Sequence, residues 1–206
     1  TFTTLGGSQN TISRANGGFI NNQGSGETVF NVADGVDTID LVLSAGWEEG
    51  TLTKNGAGTM SITSSTGDDF GTNAITVNDG TLEIGGSGRL GRGNFSQEIT
   101  INSASIFGYN STSDQTLSGV ISGTGELVKD SASTLTLTGA NTYTGDTTVR
   151  AGILSIANGT ALADTAAVRL TTGATLNLTH SIVDTVANLF IDGVAQATGT
   201  WGAVGS

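Results

Sequence analysis

Residues 123–154 read GTGELVKDSASTLTLTGANTYTGDTTVRAGIL. Within them, Thr134-Leu135-Thr136-Leu137-Thr138 alternates polar and apolar side chains with period 2, the pattern of a strand with one face in a core and the other in solvent. Gly, Asn and Asp gather between the alternating runs and mark bends, as at Gly139-Ala140-Asn141 and Gly145-Asp146. The alternation recurs in Thr59-Met60-Ser61-Ile62-Thr63, in Thr81-Leu82-Glu83-Ile84 and in Ala174-Thr175-Leu176-Asn177-Leu178-Thr179. No stretch shows the 3.6-residue period of an amphipathic helix.

Working outward, LVKDSASTLTLT at 127–138 matches LTKNGAGTMSIT at 52–63 with an offset of 75. Residues 149–156 match 77–84 at offset 72, and 168–170 resemble 99–101 at offset 69. The order of matches is kept while the offset drifts, so the chain holds two tandem units. Neighbouring strands recur more tightly: Leu135 to Leu154 and Val149 to Val168 are 19 residues, Leu154 to Leu176 and Val77 to Ile99 are 22. That spacing suits one coil of a parallel β-helix, with short strands joined by bends. A sandwich would need two-residue hairpin loops at shorter intervals, and most gaps here are longer or irregular.

The expected fold class is therefore all-β, a parallel β-helical solenoid. Its interior is expected to hold Leu41, Leu43, Leu52, Met60, Ile62, Val77, Leu82, Ile84, Ile99, Ile101, Leu127, Leu135, Leu137, Val149, Leu154, Ile156, Val168, Leu170, Leu176 and Leu178. The organisation reads as an N-terminal β segment or cap at 1–38, a diverged repeat unit at 39–115, a second unit at 116–188 and a C-terminal hairpin cap at 189–206. In the cap, Leu189-Phe190-Ile191 and Val194-Ala195-Gln196-Ala197 flank Asp192-Gly193, a preferred two-residue turn.

Composition narrows the function. The 206 residues carry 7 Lys+Arg against 18 Asp+Glu, a net charge of −11, which speaks against nucleic acid as a partner. Cysteine is absent, which removes disulfides, thiol catalysis and Cys-zinc sites. Proline is absent too, so every backbone N–H is free to join a ladder. No apolar stretch is long enough for a membrane helix.

The run Gly125-Glu126-Leu127-Val128-Lys129, the Thr/Leu strand, Gly139-Ala140-Asn141-Thr142-Tyr143-Thr144-Gly145, Thr147-Thr148 and Ala151-Gly152-Ile153-Leu154 together resemble the autotransporter-associated β-strand repeat of bacterial passenger domains. The first unit is similar in Lys54, Gly56, Gly58 and the Met60/Ile62 strand, with Ser64–Gly71 in place of the Asn-Tyr loop. The tail from Leu189 to Gly202 looks like the segment that follows the last repeat in large exported proteins. The resemblance covers about residues 39–206. It implies a right-handed parallel β-helix, secreted or displayed on the surface of a bacterium after export across the outer membrane. Such passengers serve display, adhesion or matrix. No membrane insertion by this chain is implied, because the family's barrel is not read in it.

The single residues give a sparse chemical inventory. Lys54 and Lys129 hold equivalent repeat positions and are expected as solvated residues at a bend. Asn141 is expected to bond its own turn, with Tyr143 lying over the adjacent coil. Asp34, Asp37 and Asp40 stand three apart and echo calcium-binding solenoid turns, so they are the metal candidate, for Ca²⁺. His180, with Ser181 and Asp184 near it, lacks the strained elbow that exposes a nucleophile. Glu48-Glu49 would point to opposite faces of a strand, and Asp68-Asp69 is a weaker acidic pair. Trp47 is a sugar-stacking candidate and Trp201 is expected to cover apolar surface near the C-terminal end. No catalytic and no cofactor-binding residue is assigned. The reading is a non-enzymatic structural and adhesive module, with self-association end to end or into fibres, and surface glycans or other cells, as the partners in view. The alternative is a β-helical carbohydrate-active enzyme or polysaccharide-binding module, for which the acids look too dispersed and the bases too few.

Overall fold

Alternating strands that cannot form helices bury their apolar sides by stacking strand upon strand, and the bends then bring each coil over the last. The structure, a computed structural model, describes residues 1–4, 6–12, 19–20, 26–47, 50–65, 73–180 and 183–199. Among them the only helical element is a 3-10 turn at Gly91–Gly93. Every strand pairing is parallel except the last one. The chain is thus the expected all-β parallel solenoid.

The strands form three main columns. The first stacks Phe2–Thr3, Glu27–Asn31, Thr51–Asn55, Ile75–Val77, Ile99–Ile101 and Ile121–Gly123. The second runs from Asn10–Ile12 through Leu41–Leu43, Thr59–Ile62, Gly80–Gly86 and Ser105–Ser111. It continues in the first halves of Glu126–Leu137 and Thr147–Ile156, then in Ala167–Leu170 and Asn188–Ile191. The third comprises Asn94–Phe95, Gln115–Leu117, the second halves of the two long strands, and Thr175–Leu178. Phe19–Ile20 pairs separately with Gly46–Trp47.

The expected interior residues from Leu41 to Val168 are all buried. They are joined by Phe30, Phe95, Phe107, Tyr109 and Tyr143, whose places the alternating runs did not mark. Leu170 and Leu176 are only half-buried against this core, and Leu178 is 39% exposed, a departure from expectation. For Leu176 and Leu178 the reason is topological: among the described residues no strand covers the outer edge of Thr175–Leu178.

Register follows the expected spacing with a recurring slip. Leu135 pairs with Leu154, and Leu154 with Leu176, as the recurrence requires. Val149 meets Leu170 rather than Val168, and Ile99 meets Ile75 rather than Val77. Both slips are two residues, which leaves every side chain on its proper face; a slip of one would have turned the core outward.

At the C-terminal end Asn188–Ile191 and Val194–Ala195 form an antiparallel hairpin. Asp192 and Gly193 both have positive φ, 49° and 77°, as a type I′ turn demands. The first arm also pairs in parallel with Ala167–Leu170, so it is a rung of the solenoid as well as half of the cap.

The two repeat copies do not stand in the same columns. Leu52 pairs with Ile75, Ile75 with Ile99 and Ile99 with Ile121, three coils spanning 69 residues (121 minus 52). Leu127, the partner of Leu52 in the repeat, lies six residues beyond Ile121 and opens the next column. The offset of 75 is therefore three coils plus one column.

Candidate functional site

Leu52 and Lys54 are two apart on one strand, as are Leu127 and Lys129, so each lysine shares the inward face of its leucine. Both lysines are fully buried, which corrects the expectation of solvated bend residues. Inward parity overrides the usual preference of lysine for solvent because the ammonium finds partners at the corner. Lys54 Nζ donates to the carbonyls of Asn55 at 3.3 Å, Gly56 at 2.5 Å and Asp79 at 2.9 Å. Lys129 Nζ donates to the Ser131 carbonyl, to Ser131 Oγ at 2.9 Å and to the Ala151 carbonyl at 3.4 Å. In both cases the last partner belongs to the following coil, so the lysine ties two successive bends together.

The bends are built for this approach. Gly80 and Gly152, the residues after Asp79 and Ala151, both have positive φ, 64° and 67°. A Cβ at Gly152 would lie 2.1 Å from the Ser131 carbonyl oxygen, and one at Gly80 would lie 2.6 Å from Ala57, so only glycine lets the coils close. Burial lowers Lys54 from 10.5 to about 8, opposed by the charges of Asp79 and Asp40. Lys129 is also lowered to about 8 by burial, opposed by Asp130 and Asp114. Tyr109, register partner of Lys129, has its ring centroid 5.8 Å from Nζ and donates its hydroxyl to the Ser113 carbonyl at 2.5 Å.

Asn141 is buried and spans three coils instead of bonding its own turn. Its Oδ1 accepts from Ile121 N at 2.9 Å and its Nδ2 donates to the Ala161 carbonyl at 3.3 Å. Tyr143 lies inside the core, with its hydroxyl 2.7 Å from Thr147 Oγ1, and burial pushes that phenol up to about 12. A ladder of asparagines runs along another part of the solenoid. Asn55 donates to Asn31, Asn78 to Asn55 and Asn102 to Asn78, at 3.0, 2.8 and 2.7 Å, along the end of the first column.

The acids of the metal candidate have separate tasks. Asp34 is exposed. Asp37 Oδ2 accepts from Gln9 N at 2.5 Å. Asp40 is buried, and its two oxygens accept from Gly35 N at 2.7 Å and Thr59 N at 2.8 Å. Among the described residues no three His, Asp or Glu side chains gather at metal-binding spacing. Asp40 joins one coil to the next, and other turn acids do the same: Asp114 accepts from Thr134 N, Asp146 from Ala167 N and Asp192 from Thr172 N. This stapling by dispersed acids was not foreseen, although their regular appearance in bends was visible.

His180 and Asp184 interact electrostatically, yet both ring nitrogens and Asp184 Oδ2 are buried without hydrogen-bond partners. Burial raises the Asp184 carboxyl, and the His180 charge opposes that rise. Nearby lies an open cleft of about 440 Å³, lined by Asn141–Thr144, by residues of 159–165 including Asp164, and by Val183 and Thr185. Ser181, Glu48, Glu49, Asp68, Asp69, Trp201 and most of the Ser64–Gly71 loop lie outside the described residues, as does the side chain of Trp47.

A parallel solenoid whose corners are locked by buried lysines thus defines the class of protein. Its particular kind follows from the comparison with family models: residues 52–84 and 127–156 match the passenger-associated-transport-repeat. The two matched segments, similar to an autotransporter passenger repeat, are the two copies whose lysines occupy the corners. No curated protein and no solved structure matches the chain. The matched repeat and the solenoid together fit an autotransporter passenger module.

Proposed function

We propose that the module works as a non-enzymatic, rigid display segment of a secreted or surface-held bacterial protein, acting by contact through its outer surface. One observation carries the reading. The chemically distinctive residues of the matched repeats are buried: Lys54, Lys129 and Asn141 are hydrogen-bonded between coils, and Tyr143 is bonded to Thr147 within its own coil. They serve the scaffold and present nothing to a substrate. The outward positions carry Thr, Ser, Asn and acids, which suit weak contacts with glycans, cells or further copies of the chain. The N-terminal segment 1–33 is the least repeat-like and is the proposed seat of self-association.

Three measurements test this. Turnover of neutral or acidic polysaccharides by the purified chain would overturn the non-enzymatic reading. Light scattering across concentration, with and without residues 1–33, tests the assembly reading; association that is unchanged by the deletion would remove the role of that segment. Antibody labelling of intact producing cells tests surface display, with label expected on unpermeabilised cells or protein in the medium.

A further inference from the structure

The third column ends without a cover. In the second column the strand Asn188–Ile191 is closed by Val194–Ala195. Thr175–Leu178 pairs with 153–156 on one side and, among the described residues, with no strand on the other. Thr179 N donates to the Ile156 carbonyl at 2.9 Å. With Leu178 opposite Ile156, that bond fixes which way the backbone groups of the strand point: those of Thr175 and Asn177 turn to the coil beneath. The N–H and C=O of Leu176 and Leu178 therefore point out of the solenoid, and among the described residues no backbone group meets them. The strand has none of the devices that protect an edge: it holds no charge, no proline and no bulge. The surface around it is apolar. Leu178, Val183, Ile191 and Val194 are four of the eight large apolar side chains exposed among the described residues.

We propose that this edge binds the same edge of a second copy of the chain, as an antiparallel pair of Thr175–Leu178 strands related by a two-fold axis at Asn177. The backbone pattern is self-complementary. Each copy offers two N–H and two C=O groups, those of Leu176 and Leu178. In an antiparallel pair centred on Asn177, Leu176 stands opposite the partner's Leu178 as a hydrogen-bonded pair, and four bonds form across the axis. Asn177 meets its own copy as the non-hydrogen-bonded pair between them, where its side-chain amide can both donate and accept. The leucines of the two copies meet on the core side, so each copy covers the open end of the other's interior. A two-fold contact of this kind closes on itself and stops at two copies. Charge also favours this end over the rest of the surface. Residues 167–206 carry Arg169 against Asp184 and Asp192, a net −1 of the chain's −11. The mutual repulsion of two copies is therefore concentrated away from the contact. The proposal rests on the reading that further copies of the chain are among its contacts, and it gives that contact a surface apart from residues 1–33.

The test has two parts. Sedimentation equilibrium of the intact chain is expected to show a doubling of mass, half complete at about 100 µM, because so short a contact is weak. Asn177→Lys, at an exposed position on the outer face, sets like charges against each other at the axis and should weaken the dimer about tenfold while the amide spectrum stays that of the parent. The parent has no cysteine, so Asn177→Cys reports the register directly. The two Cα atoms of a non-hydrogen-bonded pair stand about 4.5 Å apart, within reach of a disulfide. Mild oxidation should link Asn177→Cys into covalent dimers and should leave Val36→Cys, at a position 87% exposed in an early coil, monomeric. The proposal is overturned if the chain stays monomeric up to about 1 mM, if Asn177→Lys associates as the parent does, or if Val36→Cys cross-links as readily as Asn177→Cys. Association that persists in Asn177→Lys and is lost with residues 1–33 would refute this contact and support the other.

Discussion

Lys54 and Lys129 hold the same place in two copies of one repeat and different places in the solenoid. Lys54 sits in the first column, stacked between Phe30 and Val77. Lys129 sits in the second, stacked between Tyr109 and Val149. Their immediate surroundings are nevertheless alike: each ammonium caps its own bend and the bend of the next coil. The comparison shows that the repeating unit is the corner, not the column. Corner contacts reach only from one coil to the next, so a unit can be set down on any column provided that its bend and its inward parity are kept. The cages differ in one respect: Lys54 has three carbonyls, whereas Lys129 has two carbonyls and the Ser131 hydroxyl.

The largest effects should come from charging the equivalent core positions. Ile62 stacks between Leu43 and Ile84, and Leu137 between Leu117 and Ile156. Ile62→Asp and Leu137→Asp should each destabilise by about 4 kcal/mol or more, since either buries an unpaired charge. Leu178→Asp, at the uncovered edge, should cost about 1 kcal/mol or less. Urea melts of the three variants check this, and an equal loss at Leu178 would show that the third column is covered after all.

The corner lysines come next. Lys54→Met removes the ammonium from three carbonyls, of which that of Asn55 keeps Val32 N as donor, and about 3 kcal/mol should be lost; Lys129→Met should lose about 2 kcal/mol, because the Ser131 hydroxyl can turn to another partner. Equal losses would mean that the cages are energetically the same despite their different acceptors. A thermal melt of either variant indistinguishable from the parent would contradict the corner account.

The pH profile sharpens the comparison further. In the folded chain both lysines titrate at about 8, against 10.5 unperturbed. Between those values the unfolded chain binds more protons, so stability rises with pH across the window. Tyr109 and Tyr143 are raised to about 12 from 10.0, so the folded chain holds protons that the unfolded one has lost, and stability falls from pH 10 to 12. Thermal midpoints should peak near pH 10 in the parent, and the rising arm should vanish in the double Lys→Met variant. The smallest effect is expected on the surface: Asn55→Ala breaks the middle of the asparagine ladder and should cost about 1 kcal/mol or less in a denaturant melt.

The sequence made much of this legible because period 2 is a strong constraint. Every side chain it marked from Leu41 to Val168 does enter the core, though Phe95, Phe107, Tyr109 and Tyr143 join them unmarked, and the errors of register, being of two residues, did not disturb those faces. The Asp192-Gly193 turn was readable because few dipeptides suit two successive positive φ values. The lysines were misread because the general exposure of lysine outweighed a parity already present in Leu52/Lys54 and Leu127/Lys129. The change of column was also latent: an offset of 75 is not a whole number of coils. Asn141 could not be placed from its own turn, since both its partners are some twenty residues away, Ile121 before it and Ala161 after it. The way 158–166 turns on itself, through Ala161 N and Ala166 N, is announced by no periodic pattern.

The central claim is that the repeat lysine is an interior clamp. With only Lys54 and Lys129 in the chain, selective ¹³C labelling of lysine gives one ε-carbon resonance for each. Following both across alkaline pH tests the claim directly. The account predicts two titrations with midpoints at about 8. Midpoints at the ordinary value of 10.5 for both resonances would place the ammonium groups in solvent and contradict it.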